Sequence, residues 1–187
     1  MTRISALATR SDHQRICAIT SPLIEEKAID AMRNSRLREV HAFHENEWDP
    51  VQRVLNALQT SSYIRPHRHV SSASSESVLL LTGSLAFVTF TDNGAIDESN
   101  SALLGGAEGA LGVDCRGGIW HTFFALEPNT VVFEIKAGPF DPRTDKEYPT
   151  WTPAENTPEG FQYLGTIEDH VCQHFGIPPR EWELPIR

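Results

Sequence analysis

His67 and His69 stand two apart around Arg68, Glu76 follows, and His121 lies about fifty residues downstream just past Gly117-Gly118. On extended backbone, residues two apart point to one face, so His67 and His69 present two imidazoles to a single point. Imidazole and carboxylate together suit a transition metal, and three imidazoles with one carboxylate leave a coordination position for water or substrate. The expected cofactor is one divalent transition metal, with zinc, iron, nickel and manganese all compatible with these donors. Spacing alone is weak support, since eight histidines in 187 residues give roughly 0.3 chance His-x-His pairs.

The surrounding elements strengthen the case. A polar stretch, Val70 to Ser75, leads through Glu76 into Val78-Leu79-Leu80-Leu81 and the turn Thr82-Gly83, while Cys115 to Phe124 runs from a glycine turn into an apolar strand with His121 at its start. Both halves set metal-ligand side chains at strand entrances. From Val51 onward the pattern predicts strands over 51–58, 62–66, 77–81, 84–91, 95–98, 111–115, 119–126 and 130–136, with Asp92-Asn93-Gly94 as a tight turn. Many short strands with glycine turns, and no alternation with long helices, indicate a jelly roll or small barrel.

Ahead of the strands, Ser21-Pro22 opens a helix with Ser21 as its cap and an end near Asn34-Ser35. Residues 1–20 show no clean period and read as an arm. Leu103 to Gly109 reads as a flexible loop. Beyond Pro139 the chain turns proline-rich, and Ile167 to Phe175 fits a short helix closed by Gly176. The expected organisation is an N-terminal arm and helix over 1–48, a barrel over 49–138 and a C-terminal extension over 139–187.

On these residues the chain resembles a known family. Tyr63-Ile64-Arg65-Pro66-His67-Arg68-His69, with Glu76 and Gly83, resembles the first cupin motif, and Gly118-x-x-His121 the end of the second. Asp49-Pro50-Val51-Gln52-Arg53, Leu55-Asn56-Ala57, Trp120-His121-Thr122, Glu134-x-Lys136-x-Gly138-Pro139 and Asp145-Lys146-Glu147 extend the likeness to the WbuC-type cupin-fold metalloproteins, over roughly residues 22 to 153. The resemblance implies an all-β core, a cupin double-stranded β-helix or jelly-roll barrel with an N-terminal helix and a C-terminal extension. It implies metal ligation by His67, His69, Glu76 and His121, and a role in surface-polysaccharide or nucleotide-sugar metabolism. Two departures stand out: Arg116 replaces a proline of the second motif, and six residues rather than three or four separate His69 from Glu76.

Candidates for chemistry beyond the metal are Glu76 and Tyr63 as catalytic groups. Arg53, Arg65, Asn56 and Lys136 are candidates for substrate binding, because arginine suits bidentate recognition of carboxylate or phosphate. A structural pairing of Arg53 with Asp49 is the competing reading. Cys115 reads as a small core residue, His41 and His44 as structural, and His170 and His174 as a helical face lacking a third ligand.

Net charge of −9, from 16 basic and 25 acidic residues, argues against nucleic-acid binding. No apolar run is long enough to span a membrane and the N-terminus lacks a secretory core, so a cytoplasmic protein is expected. Three cysteines without a Cys-x-x-Cys pair exclude a disulfide framework. A homodimer is expected, with the N-terminal arm or the tail Glu181 to Ile186 covering a sheet edge. The expected function is a metal-dependent enzyme, of isomerase, epimerase or dioxygenase type, acting on a small polar or anionic, sugar-related substrate. The alternatives are a non-catalytic binding module for a sugar or carboxylate and an iron-dependent dioxygenase.

Overall fold

The computed structural model describes residues 1–12, 15–70 and 74–179. Ten strands form two sheets: β1 (Thr2–Ser5), β2 (Ala8–Arg10), β3 (Arg38–Ala42), β4 (Val51–Leu58), β5 (Glu76–Thr82), β6 (Leu85–Phe90), β7 (Ala102–Leu104), β8 (Gly112–Cys115), β9 (Trp120–Ala125) and β10 (Thr130–Ala137). The larger sheet runs β1-β2-β3-β4-β10-β5-β8 and the smaller β7-β6-β9. Apart from the parallel β2–β3 pair, neighbouring strands are antiparallel. The fold is an all-β, two-sheet jelly-roll barrel with helical additions, as expected.

Alternation along the strands sorts side chains into three apolar layers. Between the sheets, Leu58, Val78 and Val132 meet Leu85, Phe87 and Phe123. On the outer face of the larger sheet, Leu55, Ala57 and Val131 pack beneath Ala28 and Ala31 of α1 (Ser21–Arg33). On the outer face of the smaller sheet, Ala86, Val88 and Phe124 pack beneath Leu164, Ile167 and Val171 of α2 (Pro158–Phe175).

The inner face of the larger sheet changes character along its length. Leu58, Val132 and Val78 sit in the core, whereas further along the same face Asn56, Glu134, Lys136 and Glu76 line an open cavity of about 800 Å³. Polar residues at these inward positions interrupt the apolar packing. They leave a pocket between the sheets.

Several elements differ from expectation. α1 is capped by Thr20, whose hydroxyl accepts from Leu23 N, one residue before the expected Ser21, and ends with Asn34 as cap. Residues 62–66 form no ladder, and Ile96 makes only an isolated bridge to Phe90. β7 falls in the stretch read as a flexible loop. Within the N-terminal stretch, β1 and β2 form a hairpin that joins the larger sheet through β3. α2 starts nine residues before the expected Ile167, because Thr157 caps it and Pro158 occupies a first-turn position where proline is favoured. Glycines at 160 and 165 hid that first half. The tail Glu181 to Ile186, expected to cover an edge, lies outside the described residues.

Candidate metal centre

Two chain segments are stitched together to form the centre. His67 N donates to His121 O (3.0 Å) and His121 N to His67 O (2.9 Å), while Gly118 N donates to His69 O (2.7 Å). Gly118 has φ +86°, a conformation suited to glycine, and it turns the chain so that both segments run side by side. Glu76 opens β5, opposite Cys115 of β8 and Lys136 of β10. One ligand atom from each of His67, His69, Glu76 and His121 falls within 4.8 Å of the others, and all four side chains are buried. The six-residue spacer therefore still returns Glu76 to the histidines.

A carbonyl oxygen only accepts, so the hydrogen bonds at each Nδ1 assign the ring protons. His67 Nδ1 donates to Arg65 O (2.9 Å), His69 Nδ1 to Asp145 O (2.7 Å) and His121 Nδ1 to Ile119 O (2.9 Å). With the rings neutral, each Nε2 is then a bare lone pair. His69 Nε2 faces Glu76 Oε2 at 3.0 Å, and His121 Nε2 faces Glu76 Oε1 at 3.5 Å. Two acceptors facing each other need a cation between them. Glu76 Oε1 and His121 Nε2 are moreover buried without a hydrogen-bond partner, which is costly unless the atoms bind something else. These residues fit a metal ion.

The electrostatics agree. Burial opposes ionisation of Glu76, but the imidazoles of His121 and His69 drive its carboxyl well below the usual range. Burial also opposes charge on His121, yet Cys115 and Glu76 beside it hold it up at about 10, so without an ion a proton on His121 takes the place beside Glu76 that a metal cation would fill. Burial and the nearby Lys146 push His67 well below the ordinary imidazole value. The pocket favours positive charge beside Glu76.

A third segment completes the wall. Arg68 pairs backbone to backbone with Glu147 (3.1 and 2.9 Å), and its guanidinium reaches Glu147 while lying 4.3 Å from the Trp120 ring. This pairing brings Asp145 to His69 and Lys146 to the cavity. Burial and the neighbouring Lys136 lower the pKa of Lys146, while Glu134, Glu76 and Asp145 oppose that shift. Among the described residues its ammonium makes no hydrogen bond or ion pair. Glu134, also on the cavity wall, has its pKa raised by burial and by the charge of Glu76.

The remaining candidates are placed as follows. Asn56 lines the cavity and donates to Glu134 (3.3 Å). Lys136 lines it too, but its ammonium is held by both oxygens of Asp145 (2.5 and 2.6 Å). Arg53 lies off the cavity, paired with Asp49 at 3.2 Å. Arg65 is bound to Thr152 Oγ1 and Pro149 O and stacks on Tyr148, and Tyr63 donates its hydroxyl to Pro153 O. Cys115 is a buried free thiol outside the quartet, 4.0 Å from His121 Nδ1. His170 and His174 meet Glu98 at 2.8 and 3.3 Å, tying α2 to the turn before β7. His41 is fully buried between the hydroxyls of Thr9 and Ser11.

Sequence reasoning passed over Lys146 and Glu134 as cavity groups. The available signal was alternation on β10, where Glu134 and Lys136 share a face. Nothing local in Asp145-Lys146-Glu147 shows which of the three side chains turns inward.

A family profile described as a domain of unknown function, DUF6016, matches residues 19–102. No curated protein sequence matches the chain. Among solved structures, the capsular polysaccharide assembling protein CapF from Staphylococcus aureus is similar at 19% identity over 59% of this chain and 31% of its own, with a TM-score of 0.47. The chain thus spans about a third of CapF. Protein SO0799 from Shewanella oneidensis is similar at 16% identity over 75% of this chain and 87% of its own (TM-score 0.47). An oxalate decarboxylase variant from Bacillus subtilis aligns at 15% identity over 69% and 29% (TM-score 0.42). These identities are too low to transfer chemistry. Among the described residues no helix is long and apolar enough to cross a membrane.

Proposed function

We propose that the protein is a metal-dependent enzyme acting on a small polar or anionic substrate, with His67, His69, Glu76 and His121 holding one divalent transition ion. The observation that carries this reading is the set of three Nδ1–H groups fixed on backbone carbonyls, which leaves the Nε2 atoms of His69 and His121 facing Glu76 with His67 in the same buried cluster. When bound, the ion supplies positive charge that polarises a substrate oxygen or activates water. A sugar-related substrate is carried over from the WbuC-type resemblance.

Catalysis, as opposed to binding alone, requires proton-transfer groups that are not themselves ligands. Lys146 and Glu134 meet that requirement. Both line the cavity beside the quartet, and their shifts move the ammonium and the carboxyl toward each other in acidity. Lys146 donates a proton to an oxygen held at the centre, and Glu134, oriented by Asn56, receives one.

The test is turnover of a panel of nucleotide sugars and sugar acids by the metal-loaded protein and its Lys146→Met and Glu134→Gln variants. Each variant is expected to lose about 10²–10⁴-fold in turnover at unchanged metal content. Ligand-dependent stabilisation without product by the unaltered protein would favour a binding module instead.

A further inference from the structure

The cavity has a second polar end, built by residues outside the quartet. Arg36 and Arg38 line it together with Glu155 and Tyr148. Arg38 is committed: its guanidinium donates to Tyr63 O (2.7 Å) and to Glu155 (2.5 Å). Arg36 is not. Its nearest carboxylate contact is 3.8 Å from Glu155, the oxygen that Arg38 already holds, and its buried Nε has no hydrogen-bond partner. The neighbouring Glu39 is taken by Arg3 at 2.8 Å. Two guanidiniums thus share the Glu155 carboxylate, leaving an excess of positive charge at this part of the wall.

Arg36 is also held in place. Its backbone N–H donates to Asn34 Oδ1 (3.0 Å), and Ser62 Oγ donates to its carbonyl (3.0 Å). A guanidinium on an anchored backbone with an unpaired Nε–H suits a planar or tetrahedral oxyanion. Tyr148 lines the same cavity, its ring centroid 6.3 Å from that of His67 and 4.9 Å from the Arg65 guanidinium.

We infer that the cavity takes a substrate carrying an oxyanion group, phosphate or carboxylate, held by Arg36 in the same cavity that His67 and Glu76 line. This rests on the reading of the cavity as the substrate site. It names a substrate class, an anionic molecule, that the quartet alone does not require. Glu155 sets the strength of the anchor, because it is the one carboxylate that competes with the ligand for both arginines.

Calorimetric titration with inorganic phosphate and, separately, with malonate tests the assignment and tells the two oxyanions apart. Arg36→Met is expected to weaken the preferred anion about tenfold or more, with unchanged circular dichroism. Glu155→Gln, which removes the competing charge but keeps an acceptor for Arg65 N, is expected to tighten it, a gain that misfolding does not produce. His69→Ala is expected to keep anion binding while losing metal. Arg10 also lines the cavity, and its buried Nε likewise lacks a partner; anion binding that survives Arg36→Met, or that falls in His69→Ala or Arg10→Met instead, would overturn the assignment. Arg36-dependent binding by a protein that takes up no metal would leave the anion site standing and remove the metal-dependent function.

Discussion

Single residues here divide into those that hold charge and those that avoid it. His41 belongs to the second kind: burial first, and then the nearby Lys27, lower its pKa to about 4 from 6.5. An unfolded chain takes up this proton near pH 6.5 and the folded chain only near 4, so His41 contributes stability that is complete above pH 6.5 and lost as pH falls toward 4. Denaturant unfolding at a series of pH values is expected to show this loss in the native protein and a flatter acid limb in His41→Gln. The four residues of the candidate centre were legible from residue type and spacing, and the structure brings them together. The tautomers were not, because they depend on carbonyls of Arg65, Ile119 and Asp145, the last supplied from 76 residues away.

Elements position the site through turns and caps. Gly83 joins β5 to β6 at φ +83°, and a Cβ there would lie 2.3 Å from Thr130 Oγ1. Gly83→Ala is expected to destabilise the fold by about 1–3 kcal/mol, read as a lower midpoint in chemical denaturation. Thr157 caps α2 by accepting from Gly160 N at 3.1 Å, and Thr157→Ala is expected to lose about 1 kcal/mol. Central strands were readable because β4, β5, β6, β9 and β10 carry apolar runs set by the two-sheet core. The N-terminal hairpin was not, because its β1 residues are all exposed and leave no alternation to read. Arg53 and Arg65 show the same limit at the site: residue type suggested ligand binding, while Asp49 in one case and Thr152 and Pro149 in the other engage their guanidiniums.

At the scale of the molecule, a site drawn from three separate segments, 67–76, 118–121 and 145–147, links binding to folding. An ion that binds only the assembled quartet raises stability by mass action, about 2.7 kcal/mol at a hundredfold excess over the dissociation constant. Chelator-treated protein is therefore expected to melt at lower temperature than metal-loaded protein, and the difference is expected to vanish in His121→Ala. Elemental analysis of the purified protein and of His69→Ala and His121→Ala tests the central claim most directly. The account predicts close to one divalent transition ion per native chain and almost none in either variant. A native protein that takes up no ion when supplied with zinc, iron, nickel or manganese, or variants that retain as much as the native chain, would contradict it.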